Sequence, residues 1–240
     1  MTKNNKNNNI EVYELGLMDY EKVLKIQTEL FNKIIDQKLI NRREKTEHKT
    51  NNYLLFVEHP NVYTLGKSGD INNLLLSKED LAKKDIQFFN TNRGGDITCH
   101  GPGQIVCYPI MDLDNFFYDI HKYLRFLEEV VIKTLIEFNI KGERSLKETG
   151  VWINPKYNDA RKICALGVKA SRWVTMHGFA LNVNNDLRYF DNIIPCGINN
   201  KSVTSVSKEL GKSIDEFEII NSLKKNFSNV FSASLIERVN

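Results

Sequence analysis

Three short segments of this chain bring together side chains able to do covalent chemistry. In Ile193-Ile194-Pro195-Cys196-Gly197-Ile198, the cysteine sits between a proline and a glycine. That is a turn-forming context, which leaves little bulk around the sulfur. Cys107 and Cys164 stand instead within apolar runs, where a cysteine behaves as a small hydrophobe. A thiol attacks only as the thiolate, so acyl transfer through Cys196 would need a base or a cation beside it. Lys162 and His177 are the candidates. Lys162 opens the run Lys162-Ile163-Cys164-Ala165-Leu166-Gly167-Val168, and His177 opens His177-Gly178-Phe179-Ala180-Leu181-Asn182-Val183. A lysine at the mouth of an apolar strand is either a solvated strand end or, when its neighbours strip water from it, a group able to release its proton. From residue types alone Cys196 reads as a nucleophile or as a small turn residue, and spacing does not choose between them.

The densest local signal is Arg93-Gly94-Gly95-Asp96-Ile97-Thr98-Cys99-His100-Gly101-Pro102-Gly103-Gln104. Its glycines would let a backbone approach a ligand and present N–H groups to it. Neither the GxxxxGK[ST] order of a phosphate loop nor the GxGxxG of a dinucleotide fold is present. The segment reads as a ligand-facing loop or as a plain turn between strands, and His100 as a catalyst or a hydrogen-bonded loop histidine.

The elements that must position these segments follow from periodicity. Residues 1–9 are Asn- and Lys-rich and are expected to be a disordered tail, with one folded domain spanning 10–240 and its motif-bearing core about 53–206. Alternation over 10–15 predicts a strand. Asp19 then caps a helix with apolar positions Val23, Ile26, Leu30, Ile34 and Ile35, and 41–52 reads as a loop. Residues 53–57 and 62–65 look like a strand pair turned at His59-Pro60-Asn61. Ser77 caps a short helix to Lys84, and 86–89 is a further strand. A long helix over 117–138 carries the stripe Ile120, Leu124, Leu127, Val131, Leu135 and Phe138. Runs 163–173 and 175–183 predict a hairpin, and 214–227 a last helix. Strands in the middle with helices at the start, centre and end predict an α+β fold.

Composition narrows the function classes. The chain has 240 residues, 41% hydrophobic and 26% charged, with a net charge of +3. Its lysines and arginines alternate with acids, which argues against a nucleic-acid binder. The start MTKNNKNNN lacks a secretory signal and no run is long enough to span a membrane, so a cytoplasmic location is expected. The four cysteines form no CxxC pair and no disulfide framework is expected.

The three segments together resemble the octanoyltransferase family of lipoate synthesis, which shows RGG-x-x-T-x-HGPGQ, K-I-x-x-[LI]-G leading to HG-x-AL-N-V, and PCG. This sequence has all three in order, and the likeness spans about residues 10–204. It departs at Cys99, where the family usually has an aromatic. The resemblance implies the catalytic-domain fold of biotin and lipoate protein ligases, with a central mixed sheet flanked by helices. It also implies a Cys-Lys dyad, in which Cys196 carries the acyl thioester and Lys162 favours its thiolate and later handles the acceptor's proton. Arg93, Gly94, Gly95, Asp96, Ile97, Thr98, Cys99 and His100, with Ala165, Leu166, Gly167, Gly178, Phe179 and Ala180, would bind substrate. The implied donor is octanoyl-acyl carrier protein. The implied acceptors are lipoyl domains of 2-oxoacid dehydrogenase complexes and the glycine cleavage H protein, with no metal or cofactor. Two rivals remain: an ATP-dependent ligase of the same fold, which would have no need of Cys196, and a non-catalytic module, which would need neither Cys196 nor Lys162.

Overall fold

The apolar alternation at Ile10 and Val12 forms β1 (Asn9–Leu17) in the computed structural model, which describes residues 6–146, 148–194 and 202–238. Residues 7–9 of the expected 1–9 tail are instead held in the fold. Asn7 donates its backbone N–H to Asn115 Oδ1 and its amide to the Thr50 carbonyl, and Asn9 already belongs to the strand.

Helix α1 (Tyr20–Glu44) follows, burying Val23, Phe31, Ile34 and Ile35 along one face. Asp19 precedes it, but its carboxylate does not accept the expected capping bond and pairs instead with Lys22 at 3.1 Å. The helix also runs into the segment read as a loop. Arg42 and Arg43 in its last turn suit the negative end of the helix dipole, and Lys45, with φ +56°, closes it on the Asn41 carbonyl.

The next strands are β2 (Tyr53–Glu58) and β3 (Val62–Leu65), and they do not form the expected hairpin. Buried His59 explains the parting. Its Nδ1–H donates to the Met18 carbonyl and its Nε2 accepts from the Tyr108 hydroxyl, which fixes the end of β2 in one sheet. Beyond it the chain leaves for a second sheet. That small sheet has the order β4 (Gln87–Asn90), β3, β5 (Ile97–His100). Helix α2 (Lys78–Lys83), closed by the Ser77–Asp80 capping box, packs Leu81 beneath it with Tyr63, Ile97 and Cys99.

The large sheet adds β6 (Gln104–Ile110), β7 (Glu143–Arg144), β8 (Val151–Ile153), β9 (Arg161–Ser171), β10 (Val174–Asn182), β11 (Ser202–Val203) and β12 (Ser234–Arg238). Its order is β12-β1-β2-β6-β10-β9-β8-β7, with β11 alongside β9. Pairs β1–β12, β1–β2 and β9–β11 are parallel and the rest antiparallel, so the sheet is mixed. β9 and β10 form the expected hairpin, turning at Arg172 and Trp173, both with positive φ.

Helix α1 covers one face of the sheet against Leu55, Val106, Tyr108 and Met176. On the other face lie α3 (Ile120–Glu137) and α5 (Glu216–Phe231), whose Leu127, Val131, Leu223 and Phe227 pack with Phe56, Ile105 and Leu181. A short helix α4 (Val206–Leu210) bridges β11 and α5. The expected α+β sheet flanked by helices is what the chain forms. Among the described residues no helix is long and apolar enough to cross a membrane.

Candidate active site

Hairpin β9–β10, the end of α3 nearest β6 and the 93–100 segment enclose a cavity of about 510 Å³. That lies within the roughly 300–1,000 Å³ usual for small-molecule sites. Its wall holds Arg93, Gly94, Gly95, Asp96, Ile97, Thr98 and His100 from the first motif, and Lys162, Ala165, Leu166, Gly167, Gly178, Phe179 and Ala180 from the second. Thus two of the three motif segments meet at one place, the second contributing both strands of a hairpin. Cys196 falls in 195–201, outside the described residues. The chain on either side of it is fixed. Ile194 N–H donates to the Asn73 carbonyl, and Ser202 and Val203 pair with Arg161 and Lys162, with Thr204 N–H donating to the Lys162 carbonyl at 3.0 Å.

The first motif is largely a set of internal ties. Arg93 donates from Nη2 to the Thr64 carbonyl (2.6 Å) and hydroxyl (2.9 Å), fixing the loop to β3. Gly94 N–H donates to the Val168 carbonyl. A side chain at Gly167 would stand 2.8 Å from the Gly94 carbonyl oxygen, so the missing Cβ there is what lets the loop lie against β9. Asp96 accepts from Asn73 Nδ2 and from the Ile97 and Asp70 N–H groups. Cys99, expected at the substrate, is instead turned away. Alternation along β5 sends its thiol into the cluster of Tyr63, Leu65 and Leu81 while Thr98 and His100 line the cavity.

His100 and His177 are held neutral. Gln104 donates its amide to the Cys99 carbonyl and Asn182 Oδ1, so its Oε1 must accept from His100 Nδ1–H. Burial pushes the His100 ring down to about 3, helped by neighbouring His59, and pushes His177 to about 3, helped by the Arg93 charge. His177 adopts φ +58°, and its Nε2–H donates to Asn92 Oδ1 at 2.9 Å. Burial raises the Cys99 thiol to about 12 and raises Cys107 and Cys164 well above the usual thiol range.

Several cavity residues carried no local signal. Tyr20 comes from the start of α1, Tyr108 and Val106 from β6, Ile120 and Leu124 from α3, and Phe190 from the turn before the Cys196 segment. Ile120 and Leu124 were visible as part of an apolar stripe, but a stripe gives no hint of which positions end at a cavity.

Strand β11 and the base of β9 are clamped by charge. Arg161 donates to both oxygens of Glu209 at 2.7 and 2.6 Å, Glu209 accepts from the Thr204 hydroxyl at 2.5 Å, and Asn182 donates to the Thr204 carbonyl.

A model of the lipoyl protein ligase A/B catalytic domain matches residues 19–228. The chain is 61% identical over 230 residues to the octanoyltransferase of Christiangramia forsetii, covering 95% of this chain and 98% of that protein. It is 58% identical over 231 residues to the octanoyltransferase of Flavobacterium psychrophilum, covering 96% and 100%. Among solved structures, lipoate-protein ligase A bound with ATP superposes with a TM-score of 0.68 at 16% identity, over 97% of this chain and 88% of that one. The lipoate protein ligase of Thermoplasma acidophilum gives 0.69 at 15%, over 95% and 86%. These two likenesses concern the fold alone. By its domain model and its full-length relatives, the chain belongs to the octanoyltransferase family, built on the lipoyl protein ligase A/B catalytic domain.

Proposed function

We propose that this acyltransferase moves an octanoyl group from octanoyl-acyl carrier protein to a lysine of a lipoyl domain, by way of a thioester on Cys196. The acceptors are the lipoyl domains of 2-oxoacid dehydrogenase complexes and the glycine cleavage H protein, met in the cytoplasm. The observation that carries the reading is the convergence of the first two motif segments on one mainly apolar cavity with Lys162 in its wall.

In the first step the Cys196 thiolate attacks the donor's thioester carbonyl, and the carrier's thiolate leaves and takes a proton from the Lys162 ammonium, which is left as the neutral amine. One thioester replaces another, so no energy input is needed. In the second step the acceptor amine attacks the Cys196 thioester, an amide forms, the Cys196 thiolate is released, and the amine's proton passes to Lys162 or the thiolate. Amide formation drives this step. With His100 and His177 neutral near pH 7, Lys162 is the group proposed to favour the thiolate. Arg93, the other nearby cation, is committed to Thr64.

The test is the intact mass of the protein after incubation with octanoyl-acyl carrier protein, without ATP. One octanoyl group should add through a hydroxylamine-labile bond, absent in Cys196→Ala, and pass to a lipoyl domain. Label that persists in Cys196→Ala, or that needs ATP, overturns the reading in favour of a ligase.

A further inference from the structure

Strands β8 and β9 lose register between Val151 and Trp152. Val151 stands opposite Cys164, but Trp152 stands opposite Lys162 rather than Ile163. The irregularity sends Ile163 into the core with Val151 and Ile153, and leaves Trp152 and Lys162 as partners on the other face. Bulges next to functional sites often re-aim a side chain in this way. Here the re-aimed side chain is Lys162. Its Nζ lies over the Trp152 ring, 4.7 Å from the centroid, within the range in which an ammonium is attracted to an indole face. The stem of Lys162 crosses Gly150, where a Cβ would touch its Cε and Cδ at 3.5 and 3.6 Å. Trp152 is buried and is not in the cavity wall, and its contact with the Lys162 ammonium links it to the site.

From this pairing we propose that Trp152 is a positioning residue for the proposed Lys162 function: its indole face holds the ammonium, as a cation, at the cavity wall. The inference rests on the dyad reading given above. The other ionisable groups on the cavity wall are Arg93, Asp96, Glu148, Tyr20, Tyr108, His100 and His177.

The discriminating perturbation keeps the shape of the ring and drains its face of electrons. In the full chain carrying Trp173→Phe, so that a single tryptophan remains, Trp152 is replaced by 5-fluoro- and then by 4,5,6,7-tetrafluorotryptophan. Trp152→Phe and Trp152→Leu serve as genetic counterparts. The readouts are the pH profile of Cys196 alkylation and single-turnover octanoyl transfer from octanoyl-acyl carrier protein. The expected result is a graded fall in transfer rate, roughly three- to thirtyfold at full fluorination. It should appear in kcat rather than KM, with the alkylation profile moving to higher pH, and Trp152→Phe should retain more activity than Trp152→Leu. Equal rates and profiles across the fluorinated series overturn the inference. The reading it rests on fails separately: an unchanged alkylation profile in Lys162→Met would remove the dyad itself, whatever the tryptophan does.

Discussion

Glu128 sits wholly buried on α3, and three donors converge on its carboxylate. Arg125 Nη1 lies at 2.7 Å, Arg144 Nε at 3.1 Å and the Gly150 N–H at 3.1 Å. Glu128→Ala leaves the Gly150 donor buried and unpaired, at about 1–3 kcal/mol. It also strips the arginines of their partner. Removing one member of a buried pair costs about 3–5 kcal/mol, but the Arg125 and Arg144 side chains are 51% and 34% exposed and can rehydrate, so their share falls below that range. The combined loss is about 3–5 kcal/mol. For a domain of this size, at about 2–4 °C per kcal/mol, the melting temperature should drop by roughly 6–20 °C. Glu128→Gln retains an acceptor for Gly150 and should lose about half as much. Gly150 lies under the stem of Lys162, so Glu128→Ala should also slow octanoyl transfer below the unfolding temperature, with Glu128→Gln intermediate. Urea denaturation with single-turnover transfer measures both. A Glu128→Ala protein within about 1 kcal/mol of wild type would refute the view that this carboxylate anchors β8.

Burial holds His59 at about 4 and His100 and His177 at about 3, all below the ordinary histidine value of 6.5. The unfolded chain therefore binds protons that the folded one refuses. This contribution to stability is complete above pH 6.5 and is lost as pH falls toward 4, at about 3–4 kcal/mol per pH unit near pH 5 if all three stay neutral; a flat urea-unfolding profile from pH 7 to 5 would show otherwise. At Gly178 a Cβ would stand 2.1 Å from the Cys107 carbonyl oxygen, so Gly178→Ala should cost about 3 kcal/mol or more by denaturation. Gly94→Ala, whose Cβ would meet the Val168 oxygen at 3.3 Å, should cost distinctly less in the same assay. Cys99→Ser should keep much of the transfer activity, since that thiol faces away from the cavity, whereas its loss of acylation would move the nucleophile to Cys99.

What local pattern dictates was readable from the chain. The α3 stripe, the Ser77 cap and the β9–β10 hairpin needed only periodicity and turn chemistry, whereas the meeting of the motif residues at one site was implied by the family resemblance. What depends on distant partners was not. The His59-Pro60-Asn61 stretch looks like a hairpin turn until Met18 and Tyr108 claim both nitrogens of His59. The 97–100 strand hides inside a glycine-rich segment because its pairing with β3 crosses more than thirty residues. A bulge such as that opposite Lys162 leaves no mark on composition. Gly167 and Arg93, both expected at substrate, line the cavity and also tie the motif loop to the protein's own backbone, a second role that their spacing does not show.

Strand β1 has two parallel neighbours, β2 from the next segment and β12 from the far end of the described chain. Parallel partners cannot be joined by a tight turn, and closing so long a loop is entropically slow. Until β12 docks, the row of N–H and C=O groups along the outer side of β1 is open to any other extended chain. Assembly of this edge is therefore expected to be a late event in folding, and the interval before it the period when the protein is most prone to aggregate. Residues 234–238 close that edge without touching the cavity, so damage there should show first as lost yield of folded protein.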